Sequence, residues 1–125
     1  ILSSKKILQD LTASKLVDKL KIIKEIIDET KFLKSEQIIL IHSSLIESFK
    51  KIIKDYFFNE IEELIDANIN VPTSKIRFTT PIKYRGIENK AVYLITENIN
   101  EKAKVENYVA VTRAMEQVKI ILWTK

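Results

Sequence analysis

The spacing of apolar and polar residues predicts an amphipathic helix near the start of the chain. Its apolar residues recur three or four positions apart with charged residues between them: Leu16, Leu20, Ile23 and Ile27. Thr12 and Ser14 are residue types that cap helices, and either one would begin this helix. The preceding residues 1–13 fit a frayed strand or a first helical turn, and irregular structure there also stays open.

A short apolar run at residues 38–41 predicts the first clear strand. Its unbroken aliphatic composition is typical of a strand buried on both faces of a parallel sheet. Ser44 and Glu47 then have the spacing of a capping box, which predicts that a second helix begins here. The apolar stripe of that helix comprises Leu45, Phe49, Ile52, Ile53 and Tyr56. We expect the aromatic residues 56–58 to pack in the core.

The remaining apolar segments complete an alternation of helices and strands. Ile61, Leu64 and Ile65 predict a shorter helical piece, and residues 68–74 form the clearest loop. Further strands are predicted at residues 76–80, 91–95 and 118–123, with a helix at residues 101–115. Strands separated by helices are typical of a parallel sheet that has helices on its faces. We therefore expect residues 1–125 to form one α/β domain.

The composition is that of a folded domain, with 46% apolar and 30% charged residues. No apolar run approaches the roughly 20 residues that span a bilayer, and no signal peptide is visible, so we expect a cytoplasmic protein without membrane contact. Cysteine is absent, which excludes disulfides and thiolate metal sites. The net charge of +4 permits contact with phosphates, although a solvated lysine-rich surface explains it as well. Because the chain starts at Ile1 rather than Met, we expect it to be part of a longer protein.

Gly86 is the only glycine of the chain, whereas average usage would give about eight or nine. A Walker A loop needs two glycines and a Gly-Lys-Ser/Thr ending, because its backbone N–H groups must wrap around phosphates. The sequence therefore excludes that loop.

Two segments near the end of the chain carry motifs. Residues 79–95 read TTPIKYRGIENKAVYLI, and residues 108–122 read YVAVTRAMEQVKIIL. The first resembles motif V, Thr-x-His-x-x-Lys-Gly-Leu-Glu-x-x-x-Val, of superfamily 1 DNA helicases of the UvrD/Rep-like group. The second resembles motif VI of the same enzymes, in which a Tyr-Val-Ala-Leu-Thr-Arg-Ala helix precedes a strand. The resemblance covers about the last third of the chain closely, and upstream it extends only as a helix–strand–helix pattern.

The resemblance implies a RecA-like fold of the P-loop NTPase type, a parallel sheet flanked by helices, here without the P-loop itself. It further implies that this is the C-terminal RecA-like domain, 2A, of a helicase. ATP would bind between it and an N-terminal RecA-like domain of the same polypeptide, which would also hold the Mg²⁺. Single-stranded DNA is the other implied partner. Such a domain would not hydrolyse ATP alone.

Arginine is rare in this chain, which has 18 lysines and three arginines, Arg77, Arg85 and Arg113. A planar guanidinium grips phosphate oxygens in a bidentate way that an ammonium does not. The resemblance implies that Arg113 is an arginine finger on the γ-phosphate and the catalytic residue of this domain. A structural ion pair, for instance with Glu116 or Glu88, is the alternative.

The motif V segment supplies the other implied site residues. Gly86 and Glu88 would contact ATP, with the Glu88 carboxylate accepting a hydrogen bond from the ribose. A plain turn glycine and a solvated loop glutamate are the alternatives. Thr80, Lys83 and Arg85 would contact the DNA backbone.

This sequence departs from the motif at three positions: Ile82 replaces histidine, Arg85 replaces lysine and Ile87 replaces leucine. The first change removes one polar contact to DNA. The competing hypothesis is therefore a non-catalytic helicase-like α/β module that binds nucleic acid or protein. A helicase domain fused to a nuclease is a third option.

Overall fold

The computed structural model describes residues 6–84, 87–97 and 104–124. These residues form six strands and three α-helices. In chain order they are β1 (Lys6–Ala13), α1 (Leu16–Asp28), β2 (Gln37–Ile41), α2 (Ile46–Tyr56), β3 (Ile61–Glu63), β4 (Ile76–Thr79), β5 (Asn89–Thr96), α3 (Lys104–Thr112) and β6 (Ala114–Trp123). Short 3-10 turns precede β2 and α2. No helix within the described ranges is both long and apolar enough to cross a bilayer.

The six strands form one sheet in the order β1-β6-β5-β2-β4-β3, and every neighbouring pair is parallel. The predicted α/β fold with a parallel sheet is therefore confirmed. Because the strands are parallel, all their amino ends lie at one edge of the sheet and all their carboxyl ends at the other. We call these the amino edge and the carboxyl edge.

The central strand β2 is buried along its whole length, as its unbroken apolar run predicts. Helices α1 and α2 cover one face of the sheet, where the Phe49 ring lies edge-on to Phe78 at 5.0 Å and to Trp123 at 5.8 Å between centroids. The other face packs against Ala110 of α3 and against loop residues. We call these faces the two-helix face and the one-helix face.

The residues of helix α1 that face the core differ from the predicted stripe of Leu16, Leu20, Ile23 and Ile27. Its N-cap is Lys15, which makes no side-chain capping bond, so the predicted caps Thr12 and Ser14 are wrong. The buried positions are Lys19, Ile22, Ile23 and Ile26. Leu16, by contrast, is 47% exposed. Lys19 is accommodated because its ammonium lies over the Trp123 ring, 5.1 Å from the centroid.

Three further predictions about local structure are wrong. The segment predicted as a short helix contains β3, since Ile61 pairs with Ile76 of β4. The capping box does not form, because the N-cap of α2 is Leu45 and makes no side-chain capping bond. Of the aromatic residues 56–58, Phe57 packs against the core as predicted, but Tyr56 is 51% exposed and Phe58 is 63% exposed.

A buried side-chain hydrogen bond fixes the start of β2 against the middle of β5. The Tyr93 hydroxyl donates to Gln37 Oε1 at 2.7 Å, and Gln37 Nε2 donates to the carbonyls of Phe32 and Leu33 at 3.1 and 3.3 Å. Burial raises the pKa of Tyr93, so its hydroxyl stays protonated and remains a donor. The amide thus joins the connection after α1 to the centre of the sheet.

We expect Tyr93→Phe to lower the free energy of unfolding by about 1–3 kcal/mol, because it leaves the buried Gln37 carbonyl oxygen without its donor. Urea denaturation measures this loss. The control is Tyr56→Phe at an exposed site, which should change stability by less than about 0.5 kcal/mol. Equal effects of the two substitutions would contradict the role given to the buried bond.

Candidate functional site

The amino ends of β5 and β6 lie side by side and bring Glu88 and Arg113 together. Asn89 is paired with Ala114, and the Asn89 N–H donates to the Arg113 carbonyl at 3.1 Å. The residues that precede these strands, Glu88 and Arg113, are consequently neighbours at the amino edge. Two positions from separate sequence motifs therefore meet at one place in the fold.

Arg113 follows α3 at this edge and is buried. Its backbone N–H donates to the Ala110 carbonyl at 3.1 Å, which closes the end of the helix. Only 4% of Arg113 is exposed, and Ala110 and Ala114 beside it are fully buried. A finger must reach a nucleotide outside its own domain. The side chain is not extended for such a contact in this conformation.

Glu88 has the opposite exposure, since it lies on the surface beside β5. Ile87, just before it, packs against the core of the one-helix face. An exposed carboxylate held by a packed neighbour is able to accept hydrogen bonds from a hydroxyl-bearing ligand. Arg85 and Gly86, the other predicted residues of this turn, lie outside the described residues.

Thr80 lies at the carboxyl edge, directly after β4, and is half-buried. The connection from Thr80 to β5, which we call the crossing segment, begins at the carboxyl edge and ends at the amino edge, and its residues Tyr84 and Ile87 pack on the one-helix face. Thr80 and Glu88 consequently lie at opposite edges of the sheet. Lys83 is exposed on the crossing segment, with its ammonium 5.6 Å from the centroid of the Tyr84 ring. Thr80, which is predicted to contact DNA, is thus separated from Glu88, which is predicted to contact ATP.

Tyr84 anchors the crossing segment. Its hydroxyl donates to Asp66 Oδ1 at 2.9 Å, and its ring packs against the core of the one-helix face. Desolvation, followed by the bond to Asp66, raises the pKa of Tyr84. The bond ties the segment between β4 and β5 to the loop after β3. The sequence contained a signal for packing in this aromatic ring but none for its partner Asp66.

A polar cluster at the carboxyl edge was missed by the sequence analysis. Ser44 Oγ donates to Glu97 Oε2 at 2.9 Å and lies 2.9 Å from His42 Nδ1. The His42 N–H donates to the Ile95 carbonyl at 2.9 Å, so the cluster joins the ends of β2 and β5. The available signal was that His42 and Glu97 each follow a buried apolar run. Across the described part of the chain, no three His, Cys, Asp or Glu residues are placed to hold a metal ion.

An ion pair joins the turn before β2 to the start of β5 at the amino edge. Lys90 Nζ lies 2.8 Å from Glu36 Oε2, and Glu36 Oε1 accepts from the Leu33 N–H at 2.8 Å. These bonds, led by the one from Lys90, lower the pKa of Glu36 below its ordinary value of 4.5. The bond that Lys90 donates to Glu36 raises the pKa of Lys90.

Because the pKa of Glu36 is lower in the folded chain, its contribution to stability is present above pH 4.5 and is lost as pH falls through the folded value. We expect Glu36→Gln to destabilise the domain at about pH 7 and to have a smaller effect at about pH 4. Urea midpoints at both pH values test this, with Glu25→Gln on the exposed side of α1 as control. A Glu36→Gln effect independent of pH would contradict the assignment.

Comparison with known proteins finds a similarity of structure but no match to a family model or to a curated sequence. No family model matches the chain, and no curated protein matches its sequence. Its structure is similar to the crystal structure of the C-terminal domain of a possible DNA helicase from Lactobacillus plantarum WCFS1. The TM-score is 0.59 at 18% sequence identity, covering 95% of this chain and 73% of the other. The chain therefore has an α/β fold that resembles a helicase C-terminal domain.

Proposed function

We propose that this chain is the C-terminal RecA-like motor domain of an ATP-dependent DNA helicase. The observation that carries the proposal is the pairing of β5 with β6, which brings Glu88 and Arg113 together at the amino edge. Motif V and motif VI each supply one of these residues, so both motifs converge on one site. The fold of a possible helicase C-terminal domain gives independent support.

In this proposal the amino edge faces a first RecA-like domain of the same polypeptide. That domain supplies the Walker A loop and holds Mg²⁺, and bound ATP supplies the terminal P–O bond that is broken. Glu88 fits its proposed part, because its side chain is exposed and a carboxylate is an acceptor for the hydrogen bonds that ribose hydroxyls donate. Gly86 would let the backbone approach the nucleotide closely.

Arg113 fits its proposed part only if its side chain turns outward from the position described above. Turning would expose a guanidinium that is 4% exposed in the domain by itself. Closure of the two domains would compensate, because it offers phosphate oxygens as bidentate acceptors. Arg113 would then stabilise the negative charge that develops as the bond breaks. In this proposal, domain closure moves the Arg113 side chain from its buried position to the bound nucleotide.

The carboxyl edge would hold single-stranded DNA. Thr80 would bond a backbone phosphate, and Lys83 and Arg85 on the crossing segment would add positive charge. This segment also leads to Glu88, so a shift at one edge is transmitted to the other through few residues. Domain opening and closing would in this way move the protein along one strand.

A non-catalytic binding module is the second candidate, and the burial of Arg113 favours it. In such a module Arg113 would be a structural residue that holds the end of α3 against the sheet. Protein or nucleic-acid contacts would then use the surface lysines. A parent sequence with a Walker A loop, followed by a strand ending in Asp-Glu, supports the motor domain over the module.

In the full-length protein we expect Arg113→Ala to reduce ATP turnover by about a hundredfold or more, since the developing charge would lose its bidentate partner. Glu88→Gln, at an exposed position, should weaken ATP binding without affecting folding. Steady-state ATPase assays measure both, and circular dichroism checks the fold.

The matched control is Glu47→Gln, which changes an exposed carboxylate at the start of α2 on the two-helix face and should leave turnover unchanged. Should Arg113→Ala retain both fold and turnover, the finger is refuted. If Arg113→Ala unfolds the domain, Glu88→Gln decides, and normal ATP kinetics in that variant would count against the motor.

The 125-residue chain alone should hydrolyse no ATP and bind single-stranded DNA weakly, with affinity that falls as salt rises. Lys83→Ala should lower the slope of log affinity against log salt by about one, because one phosphate contact is removed. Fluorescence anisotropy at several salt concentrations measures this. Robust hydrolysis by the chain alone would overturn the two-domain account.

A further inference from the structure

The amino end of β5, which directly follows Glu88, is bonded to the chain on either side of it. The Asn89 N–H donates to the Arg113 carbonyl before β6 at 3.1 Å. The Asn89 side-chain amide donates to the Ser35 carbonyl, in the turn before β2, at 3.4 Å. The first residue of β5 is therefore joined to the starts of both neighbouring strands.

The ion pair between Glu36 and Lys90 adds a shorter link on the side of β2. The register pairs Gln37 of β2 with Ala91 of β5, so Glu36 and Lys90, which precede them, lie side by side. Lys90 Nζ lies 2.8 Å from Glu36 Oε2, and the other oxygen of Glu36 accepts from the Leu33 N–H at 2.8 Å. Because both carboxylate oxygens are bonded, Glu36 cannot turn away without breaking one of these bonds. The pair thus fixes Lys90 to the turn before β2.

The partial exposure of this ion pair limits what it contributes to stability. The Glu36 side chain is 24% exposed and the Lys90 side chain is 46% exposed. Solvent screens a pair at such a site, and its net contribution to folding is small. Its place in the fold gives it a second effect, because it fixes the backbone two residues after Glu88.

Glu88 itself has no such link. Its side chain is exposed and, among the residues that the structure describes, it makes no hydrogen bond or ion pair. Its position is set by its neighbours along the chain, with Ile87 packed on the one-helix face before it and the bonded Asn89 and Lys90 after it. The carboxylate is therefore only as well placed as the backbone that carries it.

We infer that Glu36 and Lys90 are positioning residues for Glu88, which hold its carboxylate where the ribose hydroxyls of bound ATP donate to it. This inference rests on the proposed function and deepens it. Lys90 occupies a position that motif V leaves unspecified, and Glu36 lies outside both motifs. Breaking the pair would free the start of β5 on the side of β2. Because hydrogen bonds weaken steeply with poor geometry, a loosely held carboxylate would bind ribose less well.

ATP and 2′,3′-dideoxy-ATP, which lacks both ribose hydroxyls, separate this role from a general loss of stability. In the full-length protein, the wild type should have a lower KM for ATP than for the dideoxy nucleotide, and Glu88→Gln should remove most of that difference. Lys90→Met and Glu36→Gln should each raise the KM for ATP by roughly three- to tenfold. The KM for the dideoxy nucleotide should not change. A merely structural loss would lower kcat for both nucleotides through the folded fraction and would leave the ratio of their KM values unchanged.

Two control variants complete the steady-state measurements. Lys90→Arg keeps a cation that can bond Glu36, so it should retain the wild-type KM for ATP. Lys50→Met is the matched control, because it breaks the ion pairs of Lys50 with Glu47 and Glu63 beside β3, which β2 and β4 separate from β5. It should leave both KM values unchanged.

The outcomes distinguish this inference from the proposed function. A wild type that does not hydrolyse ATP, or does not prefer it to the dideoxy nucleotide, contradicts the role of Glu88 and overturns the inference with it. If the wild type shows the preference and both Lys90→Met and Glu36→Gln retain it, only the positioning role is overturned. Equal increases in KM for both nucleotides would also overturn that role, since the effect would not depend on the ribose hydroxyls.

Discussion

The parallel pairing of β5 with β6 is the constraint on which the rest of the site depends. Its register places Asn89 opposite Ala114, and the bond from the Asn89 N–H to the Arg113 carbonyl closes the amino end of the pair. Both strands are largely buried, so slipping the register by one residue would expose apolar side chains and is strongly disfavoured. The proximity of Glu88 and Arg113 is therefore a consequence of core packing. Exposed loops alone would not enforce it.

The parallel order of the sheet also determines the path of the connection between β4 and β5. The connection from β4 to β5 must pass from the carboxyl edge to the amino edge, because the two strands are parallel and β2 lies between them. Tyr84 holds this connection to Asp66 on its way across. Most crossovers between parallel strands use a helix. Here the described residues between β4 and β5 form turns and irregular structure instead of a helix.

The fold was largely predictable from the sequence, because the longest apolar runs must be buried and their composition favours strands. The unbroken aliphatic run at residues 38–41 is typical of a doubly buried strand, and the structure buries it fully. The segment from Ile61 to Ile65 was misread, since the same spacing fits a helical turn, and only pairing with β4 decides for a strand. In α1 the stripe was displaced because tertiary packing, with Lys19 over Trp123, overrode periodicity. Propensity alone does not contain such long-range contacts.

The sequence predicted which residues lie together at the candidate site, but it did not predict that the Arg113 side chain is buried. The resemblance to helicase motifs V and VI implied Glu88 and Arg113, and the sheet brings these two positions together. The small apolar residues on both sides of Arg113 indicated that it is buried, because such neighbours are typical of a packed environment. The sequence analysis nevertheless favoured a finger that reaches a ligand. The ion pair between Glu36 and Lys90 had no signal at all. Its members come from separate segments, and only the pairing of β2 with β5 brings them to one place.

The short strand β3 also affects how this domain behaves in a crowded solution. It ends the sheet, and the unpaired backbone groups of such a border invite strands from other chains. Only three residues are available there, and two of them are glutamates held by Arg77 and Lys50. An incoming strand would gain few backbone bonds and would have to desolvate these charges. The border thus discourages aggregation at the side of the domain where the sheet would otherwise continue.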